Sequence, residues 1–480
     1  MNANTPSVLS TAKHVTSAYP GMVIARSRRC LKGLQCSLAQ ALIGLLMTAS
    51  QGLAQPVYEP YTFTTIAGKA GVPGSADGTN SVARLNQPYG VAVDSAGNLY
   101  VSEFAGCTIR KMTPAGTNWV VTTLAGSAGV IGSADGTGRR AQFWSPGGLA
   151  VDNAGNIYAP DIGNHTIRKV TPEGTNWVVT TIAGMASVAA SADGTNRAAR
   201  FRWPNGVAVD NDGNVYVGDT YNHTIRKMTH VGTNWVVTTL AGRAGFSGSA
   251  DGTNSAARFN LTSGVAVDAA GTLYVSDAGN CTIRKVMLVG TNHVVTTLAG
   301  KAGAIGSADG IGSAARFHGP NNVAVDSAGN LYVADVLNNT IRKMTQAGTN
   351  WVVTTVAGLA GRTGSADGAG STVRFNFGTD GGYVAVDGAG NVYVADALNN
   401  TIRKGYPALV ITSSGPHFGF NGGQFSFDLT ARPGQSVVVE SSGDLLSWTP
   451  LWTNTLAGPL NFSDSEAGAQ TSRFYRALRR

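Results

Sequence analysis

The chain has 480 residues, of which 13% are charged, about half the usual ~25%, which excludes a coiled coil and a highly charged disordered chain. Glycine reaches 63 and proline stays at 17, a balance that with abundant Val, Thr and Ala points to strands and tight turns. The formal charge of +8 is uneven: residues 1–54 hold five basic residues and no acid, leaving 30 basic and 27 acidic residues, a net +3, for the rest, so no electrostatic footprint for nucleic acid exists.

Residues 1–54 read as a secretory signal. Arg26-Ser-Arg-Arg-Cys-Leu-Lys32 precedes the apolar run Ala41-Leu-Ile-Gly-Leu-Leu-Met47, and small residues follow up to Ala54. That is the charged, apolar, small-residue order of an exported chain, with a run too short to span a bilayer. Met22 gives a signal of ordinary length, so both Met1 and Met22 stand as starts. Arg28-Arg29 opens a twin-arginine route beside the general one, although Lys32 interrupts the apolar pair expected behind it. Residues 55–60 form a linker, and no later segment is expected to span a membrane.

Residues 61–404 are one unit written six times. The tripeptide [ILV]-Ala-Gly ends at Gly68, Gly126, Gly184, Gly242, Gly300 and Gly358, spaced 58 residues apart, and such periodicity outranks other signals. Each unit carries four β-rich runs, in the first Gly90–Asp94, Asn98–Glu103, Thr108–Met112 and Asn118–Leu124. A glycine recurs in the hairpin between the first two (97, 155, 213, 271, 329, 390), as a positive-φ position requires. The chain enters with an orphan strand, Tyr61-Thr-Phe-Thr-Thr-Ile66, which matches Trp119-Val-Val-Thr-Thr-Leu124. The sixth unit ends at Thr401-Ile-Arg-Lys404 without that strand. One end supplies what the other lacks, so the prediction is all-β: a six-bladed β-propeller closed by its N-terminal strand.

The segments GVAVD, GNLYVAD and NHTIRK resemble NHL repeats, most of all the secreted bacterial form with SADG and ARF loops. The resemblance covers about 340 residues and implies the fold, but not one function, because NHL propellers bind proteins, bind RNA or act as lyases. Residues 405–480 differ. Val410-Ile-Thr, Phe425-Ser-Phe-Asp-Leu429, Val437-Val-Val-Glu440 and Phe474-Tyr-Arg-Ala477 read as short strands of a small C-terminal β-sandwich. Ser441-Ser-Gly-Asp-Leu-Leu-Ser-Trp448 and Arg473-Phe-Tyr-Arg476 resemble modules of secreted Verrucomicrobia-type proteins, which implies attachment, sorting or propeller support.

Several residue sets bear on chemistry. Cys107, His165, His223 and Cys281 fill one position in four successive blades. Cys-His-His-Cys is a zinc set by type, but a ring holds its members too far apart for bonds of ~2.0–2.3 Å. Cys107 and Cys281 fall in opposite blades, so no intrachain disulfide is expected. Asp161, Asp219, Asp277, Asp335 and Asp396, with Glu103, end the second strands, and Arg110, Arg168, Arg226, Arg284, Arg342 and Arg403 follow on the third. Their regularity points to structural pairing. The SADG aspartates (77, 135, 193, 251, 309, 367) suit turn caps, with calcium as the alternative. Asp210-Asn-Asp212-Gly-Asn214 starts like an EF-hand loop, but Val215 and Tyr221 replace its later glycine and glutamate.

No Ser-His-Asp set, HExxH or phosphate loop appears. A gluconolactonase-like propeller needs unlike acidic and amide ligands around a central metal. An amidating lyase on an NHL propeller needs placed histidines and a metal. Nearly uniform repeats argue against both, and no cofactor or metal is expected. What varies is the loop before each first strand, which should ring one mouth of the channel. Tyr89, Trp144, Arg202, Trp203, His318 and Phe377 are therefore the candidate ligand-binding residues. The same aromatics also suit filling the gaps between blades. The Trp119, Trp177, Trp235 and Trp351 ladder recurs with the period and is expected to be packing. The sequence thus predicts a monomeric, exported, non-enzymatic scaffold for a protein, peptide or glycan, in the periplasm, at the cell surface or released. The alternative is a metal-dependent hydrolase or lyase with its site in the channel.

Overall fold

The computed structural model describes residues 61–379, 381–407, 409–412, 418–421, 424–431, 435–443, 446–456, 460–467 and 473–479. The signal and linker expectations for residues 1–60 lie outside them. Two compact units emerge, a propeller up to Tyr406 and a C-terminal module from Pro407.

The propeller contains six sheets. In the first, Pro88–Val93 is followed outward by Leu99–Glu103, Thr108–Ala115 and Asn118–Ala125. A fifth strand, Gly78–Thr79, lies outermost, paired with Val121 and Val120. The sequence reading of four strands per unit therefore misses one. The two residues after each SADG aspartate are too short to show any alternation, yet they pair on the blade's edge and cover it. In the sixth sheet, Tyr61–Gly68 lies between Thr401–Pro407 and Gly368–Ala369. The N-terminal strand thus completes the last blade, as its sequence match to the other outer strands predicts. The six innermost strands touch their neighbours in an unbroken circle. The hairpin glycines 97, 155, 213, 271, 329 and 390 all take positive φ.

The core is divided among the blade interfaces. Six apolar clusters each join two neighbouring blades, such as Tyr100, Ile109 and Leu124 with Ile157, Val170 and Val179, and Tyr393 and Ile402 with Val91 and Leu99. The tryptophan ladder belongs to these interfaces: Trp119, Trp177, Trp235 and Trp351 meet Tyr393, Tyr100, Tyr158 and Tyr274 edge-on, with centroids 5.9–6.1 Å apart. Each aromatic pair adds to its area burial about 0.5–1.5 kcal/mol.

The C-terminal module contains a four-stranded and a three-stranded sheet. The first is built on Gln424–Thr430, the second on Gln435–Ser442 between Thr449–Leu456 and Phe474–Arg479. Phe425, Phe427, Leu429, Val437, Val439, Phe462 and Tyr475 join the sheets in one core, a β-sandwich. No helix among the described residues is long and apolar enough to cross a membrane.

Candidate functional site

The loops at one end of the propeller are held by two recurrent clamps. The first is the buried carboxylate that ends each second strand. Asp161 accepts the Trp144 backbone N–H at 2.7 Å and the Asn164 side-chain amide at 2.8 Å. Arg168, wholly buried, reaches Asp161 at 2.7 Å with one terminal nitrogen and the SADG residue Asp135 at 2.9 Å with the other. The same carboxylate accepts the N–H of Asn86, Arg202, Asn260, His318 and Asn376 in the remaining blades. The phenylalanine of the ARF segment lies beneath each arginine in five blades, for example Phe143 under Arg168 at 5.0 Å. Asp, Arg, SADG and ARF are therefore one structural unit, and its product is a fixed loop at the mouth. Asp210, in the EF-hand-like segment, accepts N–H groups of its own hairpin and the Tyr216 hydroxyl.

The second clamp explains the Cys-His-His-Cys set. Cys107, His165, His223 and Cys281, together with Asn339 and Asn400, all take left-handed φ between 53° and 58°. Each reaches into the next blade's mouth loop. His165 Nδ1 accepts the Trp203 N–H at 3.3 Å, and His223 Nδ1 accepts that of Leu261 at 3.0 Å. Asn339 accepts from Phe377 at 3.1 Å and Asn400 from Gln87 at 3.0 Å. The two cysteines face the Ser145 and Gly319 N–H groups in the same way. The position thus requires an acceptor that tolerates αL, and three residue types supply one. Cys107 and Cys281 are buried free thiols, and burial raises both thiol pKa values. Burial, and then the Arg202 cation, hold both histidines below the usual imidazole value.

Between these loops the channel is crossed by side chains. Tyr383 of blade six donates its hydroxyl to Asn205 Oδ1 of blade three at 2.5 Å. The Asn205 amide donates in turn to the Tyr89 hydroxyl at 2.8 Å. Blades three and six are opposite in a ring of six, so this network crosses the axis. The Ser263 hydroxyl donates to Asn321 Oδ1. A Cβ added at Gly148 would lie 2.2 Å from the Tyr383 ring, so Gly148 leaves the gap into which Tyr383 fits. Burial holds the Tyr383 phenol well above its ordinary pKa.

Above this polar floor opens a cavity of about 350 Å³. Its walls are Phe104, Ile162, Trp203, Tyr221, Leu261 and Leu337, and Tyr89, Asn205, Ser263 and Asn321 face it from the floor. Among the described lining residues there is no acid, base or thiol. Of the sequence candidates, Tyr89 and Trp203 line the cavity, whereas Trp144, Arg202, His318 and Phe377 do not. Trp203 is 45% and Trp144 40% exposed, while Tyr89 and Phe377 are buried. Phe377 stacks on Phe375 at 5.2 Å inside the interface of blades five and six. Arg202 lies beside the cavity, 5.9 Å from the Tyr221 ring, and His318 is half-buried. Sequence reasoning missed Tyr221, Tyr383 and Ser263. The first two carried a readable signal, an aromatic where the other repeats hold small residues, glycine, alanine, leucine or asparagine.

Comparison with known proteins agrees with this geometry. The NHL repeat model matches residues 201–228, which include the start of blade three. The NHL repeat-containing protein 2 of Bos taurus is 29% identical over 157 residues, covering 30% of this chain and 21% of that protein. The chain spans only 9% and 21% of the lengths of the first curated relatives it matches. Two solved Bacteroides structures share the fold. A structural genomics protein of unknown function from Bacteroides thetaiotaomicron VPI-5482 has a TM-score of 0.55 at 21% identity, over 72% of this chain and 76% of that one. An auxiliary nutrient binding protein from Bacteroides ovatus ATCC 8483 has a TM-score of 0.54 at 18% identity, over 73% of this chain and 77% of that one. With its period and its closed six-blade ring, the body of this chain is a six-bladed β-propeller, and residues 201–228 in its third blade match an NHL repeat.

Proposed function

We propose that the protein is an exported binding scaffold whose propeller mouth takes a neutral, hydroxyl-bearing ligand such as the end of a glycan. The observation that carries this is the lining of the cavity: aromatic and aliphatic walls over a floor of amide and hydroxyl groups, with no acid, base or thiol among the described lining residues. Trp203 and Tyr221 offer exposed ring faces, 5.8 Å apart between centroids, that suit the apolar face of a sugar. The Asn205 amide spends one N–H on Tyr89, and a side-chain amide carries two, a donor that a ligand hydroxyl can match. Export is supported by the charged and apolar order of residues 26–54.

The runner-up, a metal-dependent hydrolase or lyase, fits less well. General acid–base chemistry needs a group titrating near the working pH, and a metal needs carboxylate, imidazole or thiolate ligands. No group of three or more potential metal ligands occurs among the described residues.

A glycan and peptide array tests the proposal. Trp203→Ala with Tyr221→Ala should weaken glycan capture at least tenfold, which is ~1.4 kcal/mol, at unchanged melting temperature. Capture of peptides alone sinks the glycan assignment. Capture indifferent to both changes sinks the mouth as the site. A stoichiometric metal in the purified protein, with turnover in a lactone or peptide-lyase screen, would establish the enzyme instead.

A further inference from the structure

The part of the cavity wall that blade three supplies is built differently from the rest. Directly after the buried carboxylate of its second strand stands Thr220, where the other blades hold Phe104, Ile162, Ala278, Val336 and Ala397. Thr220 is 8% exposed and lines the cavity, and its Oγ1 has no hydrogen-bond partner among the described residues. A buried hydroxyl without a partner costs free energy, and the five apolar counterparts show that the fold does not require one here. Other threonine hydroxyls are orphaned too: Thr166, Thr224, Thr282, Thr340 and Thr401. Those open the third strand in five blades, recur with the period and line no part of the cavity. Among the described lining residues, Thr220 alone joins an unpartnered side-chain atom to a place on the wall.

The Thr220 segment is fixed to the aromatic wall. Asp219, immediately before it, accepts the Arg202 N–H at 2.8 Å, and the Tyr221 N–H returns to the Arg202 carbonyl at 3.1 Å. Trp203, next along, is held at φ 54°, a left-handed conformation that is an outlier for a bulky residue. Leu261, its counterpart in blade four, is held likewise at φ 55°, whereas blade five uses Gly319 there. The Trp203 N–H is taken by His165 Nδ1. Strain of this kind persists where the surroundings over-determine it, and it gathers at binding sites. Trp203, Tyr221, Thr220 and Asn205 thus form one preorganised surface on a single blade, two rings and two polar side chains bordering the same cavity.

The size and closure of the cavity limit what reaches Thr220. A volume of about 350 Å³ lies at the lower end of small-molecule sites, about 300–1,000 Å³. The Tyr383–Asn205–Tyr89 network crosses the axis beneath it, so a polymer does not thread through and one terminal ring enters. We propose that Thr220 is a specificity-determining residue of the mouth: its hydroxyl pairs with one ring hydroxyl of a single terminal pyranose unit stacked on Trp203 and Tyr221. It thereby selects sugars that carry a hydroxyl at that place. This rests on the mouth being the binding site.

Isothermal titration of the full chain tests it, with the methyl pyranosides of glucose, galactose, mannose and xylose and the monodeoxy analogues of whichever binds best. Thr220→Val keeps the shape and installs the β-branched apolar kind of residue that blades two and five already hold. It should therefore fold, with a melting temperature equal to or above that of the unmodified protein. It should weaken the best pyranoside about tenfold, and Thr220→Ser should restore most of the affinity. One monodeoxy analogue should bind the unmodified protein about tenfold more weakly than its pyranoside, yet bind Thr220→Val as well as that pyranoside does. Undiminished binding to Thr220→Val, or the same loss for every deoxy analogue in both proteins, overturns the proposal, because solvent then serves the hydroxyl. A melting temperature lowered in Thr220→Val overturns it too, since the hydroxyl then has a partner inside the protein. If Trp203→Ala with Tyr221→Ala abolishes binding while Thr220→Val does not, the mouth stands as the site and Thr220 falls. If no pyranoside binds, the glycan reading itself fails and the assignment of Thr220 with it.

Discussion

Closure of the ring rests on few side chains, and Phe63 is the most telling of them. It is wholly buried in the strand that completes blade six. Its ring meets Phe375 edge-on at 5.3 Å and lies over Gly405, where an added Cβ would come within 2.3 Å of it. Phe63→Ala should therefore leave a cavity that cannot collapse, because the Gly405 backbone beneath it is fixed in the sheet. A buried Phe→Ala change costs about 3–5 kcal/mol, and the lost edge-on pair puts this one at the upper part of that range. Urea unfolding followed by fluorescence measures it as a lower midpoint at unchanged slope. Gly405→Ala, which drives a methyl into the same ring, should destabilise too. A loss below about 1 kcal/mol for Phe63→Ala would refute the reasoning, because a strand that closes the ring cannot give up its largest buried contact so cheaply.

Two further predictions follow from the clamps at the mouth. His165 and His223 must be neutral at Nδ1 to accept a backbone N–H, and burial with Arg202 lowers both pKa values. The unfolded chain then binds more protons than the folded one, so their contribution is fully present above the unfolded value of about 6.5 and is lost as pH falls below it. Melting temperature against pH should show this loss. His165→Asn with His223→Asn, the residue that blades five and six already use, should abolish that part of the loss and keep stability at neutral pH. Asp219→Asn leaves wholly buried Arg226 without its buried counter-charge, which should cost about 3–5 kcal/mol by the same urea assay. A cost within experimental error would show that Asp193, the other carboxylate on Arg226, suffices alone.

The fold was legible because repetition displays what each blade requires. The period, the hairpin glycines and the orphan Tyr61–Ile66 strand each express a backbone need that every copy shares. The two-residue outer strands were not legible, since Gly78–Thr79 and its counterparts carry no alternation and pair only because the SADG aspartate is anchored on a distant arginine. The mouth was legible only in part. Looking for variation located Trp203 and Tyr89 on the cavity. It also selected Phe377, which varies for packing and stacks inside an interface. A departure from the repeat says that a position is free of the common constraint, not which way its side chain turns.

Tyr383 shows what was hidden. Blade six inserts three residues before its first strand, and this shifts the alignment so that a tyrosine stands where four other blades have glycine and the fifth has Asn322. Its hydroxyl then spans the axis to Asn205, and its ring lies where a Cβ on Gly148 of blade two would stand. The insertion and the tyrosine belong to blade six and their partner Asn205 to blade three, more than 170 residues away in the sequence. Neither departure has a reason within its own repeat. Together they have one reason, which is to close the channel and give the cavity a floor. In a closed ring, coupled departures in non-adjacent blades meet only at the axis. Such coupling therefore distinguishes residues that shape a central site from those, like Phe377, that merely adjust one interface.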